Sequence, residues 1–120
     1  MNKNIIVTGG LGFIGSNLIA LLIKKNYSVI NIDKISYSSN FYNIKDIKKN
    51  KNYKFIKCDL KNHRKLKKIF KVFKPIVIFN LAAETHVDRS IDAPKQFIDS
   101  NVIGIFNLLE VFKNYFKTNK

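Results

Sequence analysis

A glycine-rich segment near the start of the chain has the composition of a phosphate-binding loop. The run Thr8-Gly9-Gly10-Leu11-Gly12-Phe13-Ile14-Gly15 places glycines at 9, 12 and 15, with the spacing G-x-x-G-x-x-G. Glycine has no Cβ, so the backbone can turn tightly and approach a ligand closely. The N–H groups and the dipole of a helix N-terminus attract a pyrophosphate. The spacing therefore predicts a dinucleotide-phosphate loop, provided that a strand precedes it and a helix follows.

A carboxylate follows at the distance that such a loop requires. Asp33 lies eighteen residues after Gly15, near the spacing of about 20 at which an acidic residue accepts hydrogen bonds from a ribose. A carboxylate there repels a 2′-phosphate, which favours NAD over NADP, although Lys34 beside it leaves NADP open. Asp59 follows the third apolar run and is expected near the adenine, or alternatively as a helix cap.

The remaining titratable groups give weaker signals. His86, Asp88 and Arg89 follow the fourth apolar run and could titrate or bind phosphate, or could be structurally paired. Cys58 is the single cysteine, which excludes an internal disulfide framework and agrees with a reducing, cytoplasmic location. The two histidines and the cysteine have no zinc-type spacing, so we expect no metal site.

Alternating strands and helices must position these groups. Four short, β-branched apolar runs predict strands covered on both faces: Ile5–Val7, Val29–Ile32, Phe55–Ile56 and Ile76–Phe79. Helices are predicted over Ser16–Lys25, over Asn62–Phe73 with Leu66, Ile69, Phe70 and Phe73 on one stripe, and as one long amphipathic helix from Asp92 or Pro94 to Phe116. Residues 34–43 read as a loop, with a short helical piece over 44–49.

The alternation predicts an α/β fold with right-handed crossovers and a parallel sheet. Its simplest form is strand order 3-2-1-4, the N-terminal half of a Rossmann-type doubly wound sheet. The fourth strand of such a sheet normally has further strands beside it, so its apolar edge would be unpaired. We therefore expect the chain to be part of a larger domain.

Composition bounds the classes of function. The chain has 120 residues, 46% hydrophobic and 25% charged, which is typical of one globular domain or part of one. No apolar run is long enough for a membrane span or a signal peptide. The net charge of +14 comes almost entirely from lysine. We interpret it as a general bias in residue usage and not as a sign of a binding site. A polyanion contact within Lys45–Lys74 stays open, but we do not expect nucleic acid as the partner.

The motifs together resemble those of a known family. The segments TGGLGFIGSN, NIDKISYSSN, KCDL, LAAETHVDRSI and DSNVIGIFNLLE occur in this order. They resemble the N-terminal part of the extended short-chain dehydrogenase/reductase family, and most closely the dTDP-glucose 4,6-dehydratases within it. The UDP-sugar epimerases and decarboxylases are near competitors. The resemblance covers nearly the whole chain.

The resemblance implies roles for individual residues. Phe13 and Ile14 would lie beside the pyrophosphate, and Asp59 and Leu60 would frame the adenine. The adenosine ribose would be held by Asp33, Lys34 and Ser36, and Ile35 would also bind the cofactor. Leu81, Ala82 and Ala83 would lie behind the cofactor toward its nicotinamide end. Ser100 would line the cofactor cleft, and Thr85 would contact the sugar of the substrate. Leu11 and Ser16 would tolerate substitution.

The family's reaction needs residues that this chain lacks in the right place. The resemblance implies oxidation of the sugar at C4 by NAD, loss of water across C5 and C6, and return of the hydride to C6. A Tyr-x-x-x-Lys pair on one helix face serves as the base in such enzymes. Tyr53 and Lys57 have this spacing but fall on the predicted third strand. Tyr115 does not fit the pattern, because the residue four positions after it is Asn119 and not lysine. We therefore expect no catalytic residue in this chain.

The resulting hypothesis is an NAD-binding partial domain of a nucleotide-sugar dehydratase, inactive without the rest of the enzyme. Its substrate would be a nucleotide sugar, and the full-length form would pair as a homodimer, with the helix over 94–116 as a candidate surface. A non-catalytic nucleotide-binding module is the alternative from another class. The identity of the nucleotide base and of the sugar in the substrate is inferred from the resemblance alone.

Overall fold

The computed structural model describes residues 2–35, 39–82, 91–92 and 94–118. These residues form two compact units. The first unit runs to Lys57 and includes Pro75–Leu81, and the second comprises Cys58–Lys74 and the chain from Ala82 onward.

Strands and helices alternate along the chain. The elements are β1 (Asn4–Thr8), α1 (Phe13–Lys24), β2 (Ser28–Asp33), a 3-10 helix (Phe41–Ile44), β3 (Tyr53–Lys57), α2 (His63–Phe73), β4 (Val77–Asn80), α3 (Pro94–Ile98), a π-helical turn (Asp99–Ile103) and α4 (Gly104–Thr118). All strand pairs of the sheet are parallel, in the order β3-β2-β1-β4. The α/β class and the strand order 3-2-1-4 are thereby confirmed.

The register brings the carboxyl ends of the strands to one edge of the sheet. Thr8 at the end of β1 lies opposite Ile32 of β2 and Asn80 of β4, and Asp33 lies opposite Lys57 of β3. Ligands of open α/β sheets bind outside this edge. The glycine-rich loop leaves β1 at the same edge.

The core of the first unit lies between the central strands and α1. Ile5, Val7 and Val29 are buried against α1, which contributes Ile19, Leu22 and Ile23. The continuous apolar runs of β1 and β2 are buried along nearly their whole length, as predicted for central parallel strands.

The outer strand β4 does not have the coverage that its apolar run predicts. Val77 is 39% exposed and Phe79 is 36% exposed. Coverage on both faces was predicted for all four runs. For β4 this is wrong, and it is also wrong for β3, the other outer strand, where Phe55 and Ile56 are only half-buried. A strand at the edge of a sheet has a neighbour on one side only, so less of its surface is buried. The unpaired apolar edge expected for the fourth strand agrees with this exposure.

Helix α2 in the second unit forms as predicted. The side chain of Asn62 caps it by accepting a hydrogen bond from the Lys65 N–H at 3.1 Å. Of the predicted apolar stripe, Leu66, Ile69 and Phe70 are buried. The helix ends at Phe73, and its C-cap residue Lys74 has a left-handed φ of 48°.

The single long helix predicted to end at Phe116 is interrupted. A π-helical turn over Asp99–Ile103 separates α3 from α4. A π turn contains more residues than an α turn, so a stripe drawn at 3.6 residues per turn cannot continue through it. Accordingly Leu108 and Val111 are buried, whereas the apolar residue Val102 is 59% exposed.

Helices α2 and α4 pack against each other. The rings of Phe70 and Tyr115 meet edge-to-face with centroids 5.6 Å apart, and the Asn107 amide donates to the Lys61 carbonyl at 3.0 Å. A groove of about 410 Å³ lies between the helices, and its rim includes Lys67 and Lys71 from the basic stretch. Within the described ranges, no helix combines the length and apolarity needed to cross a bilayer.

The loop predicted over 34–43 is partly helical. The 3-10 helix spans Phe41–Ile44 and residues 45–49 form turns, so the helical piece predicted over 44–49 is wrong except at Ile44. The Asn40 side chain accepts the Tyr42 N–H at 2.9 Å, and the Phe41 ring contacts that of Phe55 with centroids 5.5 Å apart. This cap and ring contact explain the earlier start.

Candidate cofactor site

The glycine loop is shaped by close approaches of its own backbone. Gly9 has φ of 73°, a conformation that residues with a Cβ rarely adopt. A Cβ at Gly15 would overlap the Gly9 carbonyl oxygen and lie 2.9 Å from Gly10 Cα. A Cβ at Gly12 would meet only the Gly9 carbonyl oxygen, at 3.4 Å. The fold therefore requires glycine at 9 and 15, and Gly12 leaves space that a ligand can use.

Gly10, outside the predicted triplet, is equally constrained. A Cβ there would overlap the Asn31 side chain and Ile19 Cδ1. The spacing rule could not find Gly10, because its neighbours come from β2 and from the middle of α1.

Three consecutive loop amides are held by three consecutive residues of β2. The Gly9 N–H donates to the Ile32 carbonyl at 2.9 Å. The Gly10 N–H donates to Asn31 Oδ1 at 2.9 Å, and the Leu11 N–H to Asp33 Oδ2 at 3.2 Å. The loop backbone is thus tied to the strand edge.

The start of α1 suits an anion. Gly12 is the N-cap and offers no side-chain cap, and the first turn contains no acidic residue. The N–H groups of the first helical residues have no acceptor inside the helix. Phe13 is 78% exposed and Ile14 is 69% exposed, so both stand at the open side of this turn. The residues present therefore fit a pyrophosphate.

Asp33 is buried at the end of β2, with 7% of its surface exposed. Its Oδ1 accepts hydrogen bonds from the Ile35 N–H at 2.8 Å and the Ser39 hydroxyl at 3.0 Å, and its Oδ2 accepts the Leu11 N–H. A carboxylate has about four acceptor positions, so one more hydrogen bond, from a ribose hydroxyl, fits. Ile35 has φ of 63°, a strained value for a β-branched residue.

The other predicted residues of the first unit border this edge. Lys34 is half-buried and Ile35 is exposed. Leu81 follows β4, is 38% exposed, and donates its N–H to the carbonyl and hydroxyl oxygens of Thr8, both at 3.1 Å. The structure thus brings Leu81 beside the residue that opens the glycine loop.

Asp59 and Leu60 belong to the second unit. Asp59 Oδ1 accepts the Lys61 N–H at 2.9 Å, and Leu60 is buried. The alternative role of Asp59 as the cap of α2 is wrong, since Asn62 supplies the cap. Burial raises the pKa of the Cys58 thiol, an effect that Lys65 opposes and Asp59 reinforces, in keeping with its predicted core position.

Several predicted residues lie outside the described part of the chain. These are Ser36, Ala83, Thr85, His86, Asp88 and Arg89, and the side chain of Ser100. Ala82 is described and half-buried. Among the described residues, no group of three His, Cys, Asp or Glu side chains is arranged to bind a metal.

The Tyr53 and Lys57 pair lies on a strand, as predicted. The two residues are the first and last of β3, so they do not share a helix face. Burial raises the pKa of the Tyr53 hydroxyl, the Asn31 hydrogen bond opposes this effect, and Asp33 adds to it. The pair has no geometry for general-base catalysis of the helical kind.

Sequence reasoning missed Asn31 and misjudged Leu11. Asn31 is fully buried, as is Leu11, so the expectation that Leu11 tolerates substitution is wrong. Ser16 is also buried, with its hydroxyl donating to the Phe13 carbonyl at 3.0 Å. The one signal for Asn31 is a polar residue inside the apolar run Val29-Ile30-Asn31-Ile32.

Residues 6–120 match the sequence profile of the GDP-mannose 4,6 dehydratase family. The chain belongs to this family. The match covers nearly the whole chain, as did the motifs that suggested a dehydratase or epimerase relationship.

Two curated relatives of the chain share one description. The chain is 44% identical over 116 residues to dTDP-glucose 4,6-dehydratase of Haemophilus influenzae, which covers 96% of this chain and 34% of the relative. It is 41% identical over 112 residues to the enzyme of the same name from Salmonella typhimurium, covering 92% and 31%. The chain thus spans about a third of the length of these relatives.

Solved structures related to the family share the fold. The dTDP-glucose 4,6-dehydratase of Bacillus anthracis, in complex with NAD, matches with a TM-score of 0.83 and 40% identity, covering 94% of this chain and 34% of that one. The UDP-glucose 4-epimerase of Thermotoga maritima, with UDP-glucose, matches with a TM-score of 0.84 and 36% identity, covering 93% and 34%. Membership of the dehydratase and epimerase group is thereby confirmed.

Proposed function

We propose that this chain is the N-terminal, NAD-binding portion of a nucleotide-sugar 4,6-dehydratase that converts dTDP-glucose to dTDP-4-keto-6-deoxyglucose. The observation that carries the proposal is the glycine loop tied to β2 at the carboxyl edge of the sheet, with the Asp33 carboxylate at the same edge. The loop and the start of α1 accept a pyrophosphate, and Asp33 accepts a ribose hydroxyl.

The proposal carries over the residue roles that the family resemblance implies. The exposed Phe13 and Ile14 flank the pyrophosphate. Asp33, Lys34 and Ser36 hold the adenosine ribose, and Ile35 also binds the cofactor. Asp59 and Leu60 frame the adenine. The nicotinamide side is formed by Leu81, Ala82 and Ala83, with Ser100 in the cleft and Thr85 at the sugar. Residues 1–120 then form a partial NAD-binding domain.

This chain contributes binding and orientation to the reaction. NAD, when bound, supplies a hydride acceptor for the sugar and later returns the hydride. The N–H groups at the start of α1 would stabilise the pyrophosphate, the Asp33 carboxylate would accept a hydrogen bond from the ribose, and Leu81 would lie on the nicotinamide side. The proposal assigns the proton transfers of the elimination to no residue of this chain.

NAD rather than NADP is the proposed cofactor. The three hydrogen bonds to Asp33 hold its carboxylate at the strand end, where it would repel a 2′-phosphate at close range. The test is a calorimetric titration of the 120-residue protein with NAD and, separately, with NADP. Saturable binding that is tighter for NAD is expected, and the absence of NAD binding at millimolar concentration would exclude the proposal.

A UDP-sugar 4-epimerase is the second candidate, favoured by the match to the Thermotoga maritima epimerase. Both candidates use the same cofactor site, so a different experiment must separate them. We suggest joining this chain to the C-terminal two-thirds of the Haemophilus influenzae relative. The matched chimera carries the C-terminal two-thirds of the Thermotoga maritima epimerase. Higher turnover of dTDP-glucose by the first chimera than of UDP-glucose by the second, each relative to its parent enzyme, would support the dehydratase, and the reverse would favour the epimerase.

Two further proposals concern assembly and location. Exposed apolar residues on the segment from α3 to α4, among them Val102, Phe106 and Leu109, support pairing of the full-length form through this segment. Sedimentation of that form tests the pairing. A cytoplasmic location follows from the single cysteine and stays a prediction.

A further inference from the structure

We propose that Asn31 is a positioning residue that sets the glycine loop in its ligand-receiving conformation, with Tyr53 fixing the orientation of the Asn31 amide. The inference rests on the proposed function for the identity of the ligand. Its structural part concerns the loop, β2 and the Tyr53 hydroxyl of β3.

The first argument is that the Asn31 side chain is buried and that both polar atoms of its amide are hydrogen-bonded. Asn31 is 0% exposed, and a buried amide without partners is costly. Its Oδ1 accepts the Gly10 N–H at 2.9 Å, and its Nδ2 donates to the Tyr53 hydroxyl at 3.0 Å. A backbone N–H can only donate, so Oδ1 must face Gly10 and Nδ2 must face Tyr53. The amide therefore has one orientation that satisfies both contacts.

The second argument is that the three β2 residues that bond the loop amides differ in what else they do. Of the three residues that hold the loop amides, Ile32 uses its backbone carbonyl, which any residue would supply. Asp33 also bonds Ile35 and Ser39 and is the proposed ribose acceptor. The Asn31 side chain accepts a loop N–H and has no proposed contact with the ligand.

The third argument is steric. A Cβ at Gly10 would overlap the Asn31 side chain, so loop and amide are in direct contact at this point. Because Asn31 is fully buried, it cannot touch a ligand, and its effect on affinity must act through the loop. A loop that is correctly placed only part of the time weakens apparent affinity by that fraction.

The test compares Asn31→Leu with the unmodified chain by amide hydrogen exchange, without cofactor. Leucine has a similar size and cannot accept the Gly10 N–H. We expect exchange at Gly10 to accelerate by about tenfold or more, the effect of orphaning one buried donor. Amides of β1 and β2 away from the loop should change much less. The dissociation constant for NAD should rise by a similar factor.

Two controls separate positioning from general destabilisation. Val29→Ala lies on the same strand and in the core, and it should speed exchange across the sheet without singling out Gly10. Tyr53→Phe removes the acceptor of Nδ2 and should give a smaller rise at Gly10 with little loss of stability. If Asn31→Leu does not fold, the Gly10 exchange rate in Tyr53→Phe tests the positioning role of Asn31 instead.

The outcomes distinguish the two proposals. Unchanged Gly10 exchange in the folded variants would overturn the positioning role, whatever their NAD affinity. Accelerated Gly10 exchange with unchanged NAD affinity would overturn the link to the ligand. Failure of the unmodified chain to bind NAD would overturn the proposed function, while the exchange at Gly10 would still decide the role of Asn31 in the loop.

Discussion

The Cα of Gly15 faces the carbonyl oxygen of Gly9 so closely that no side chain fits between them. Gly15→Ala must therefore push the start of α1 away from the loop. We predict a loss of about 1–3 kcal/mol in the free energy of unfolding, as for other overpacked sites, and at least a tenfold loss of NAD affinity. Urea denaturation and calorimetric titration measure the two effects.

Gly12→Ala is the matched control for the glycine loop. Gly12 has φ of −77°, which alanine adopts easily, and its Cβ would lie 3.4 Å from the nearest described atom. Stability should stay within about 0.5 kcal/mol of the unmodified chain, while NAD affinity falls because the methyl group occupies ligand space. Equal losses of stability in both variants would contradict this assignment.

Asp33→Asn tests the choice of cofactor. The amide keeps the size of the side chain but removes the charge that repels a 2′-phosphate. We predict that the ratio of NADP to NAD dissociation constants falls toward one, with a loss of stability because the Leu11, Ile35 and Ser39 donors lose a charged acceptor. Parallel titrations give the ratio.

Asp46→Asn is the control for Asp33→Asn, since it removes the same charge from an exposed turn. It should leave the cofactor ratio unchanged. If the unmodified chain binds NAD and NADP equally, Asp33 does not set the preference.

Features encoded by neighbouring residues could be predicted from the sequence. The apolar runs of β1 and β2, the glycines at 9 and 15 and the stripe of α2 are local patterns, and the structure places them as expected. Features that join distant residues could not be predicted. The contact of Gly10 with Asn31 spans 21 residues, and periodicity gave no sign of the π turn over Asp99–Ile103.

Phe70→Ala tests the packing of α2. Phe70 is 1% exposed and its ring meets that of Tyr115. Truncation leaves a cavity and should cost about 3–5 kcal/mol in the free energy of unfolding. Val72→Ala on the same helix, where the side chain is 65% exposed, should cost less than about 0.5 kcal/mol. Denaturation of both variants makes the comparison, and similar costs would mean that Phe70 is not packed as described.

The raised pKa of Cys58 predicts a pH dependence of stability. Burial, the largest cause, favours the neutral thiol in the fold, so the folded chain holds its proton to higher pH than the unfolded chain. The stabilisation is complete below the ordinary thiol pKa of 9.0 and is lost as pH rises through the folded value. Unfolding by urea at several pH values should show a fall above pH 9 that Cys58→Ala reduces. An equal fall in both chains would assign it to other groups, such as Tyr53, whose pKa burial also raises.

The unmodified 120-residue chain should bind NAD without turning over dTDP-glucose. Tyr53 and Lys57 stand at opposite ends of a five-residue strand, about 13 Å apart, so lysine cannot lower the pKa of the tyrosine as it does from a neighbouring helix turn. Incubation with NAD and dTDP-glucose, followed by mass spectrometry, should reveal no loss of water from the sugar, whereas the full-length Haemophilus influenzae relative serves as the positive control. Keto-sugar formation that depends on this chain, and that persists after Tyr53→Phe, would mean that catalytic groups lie among residues assigned only to binding.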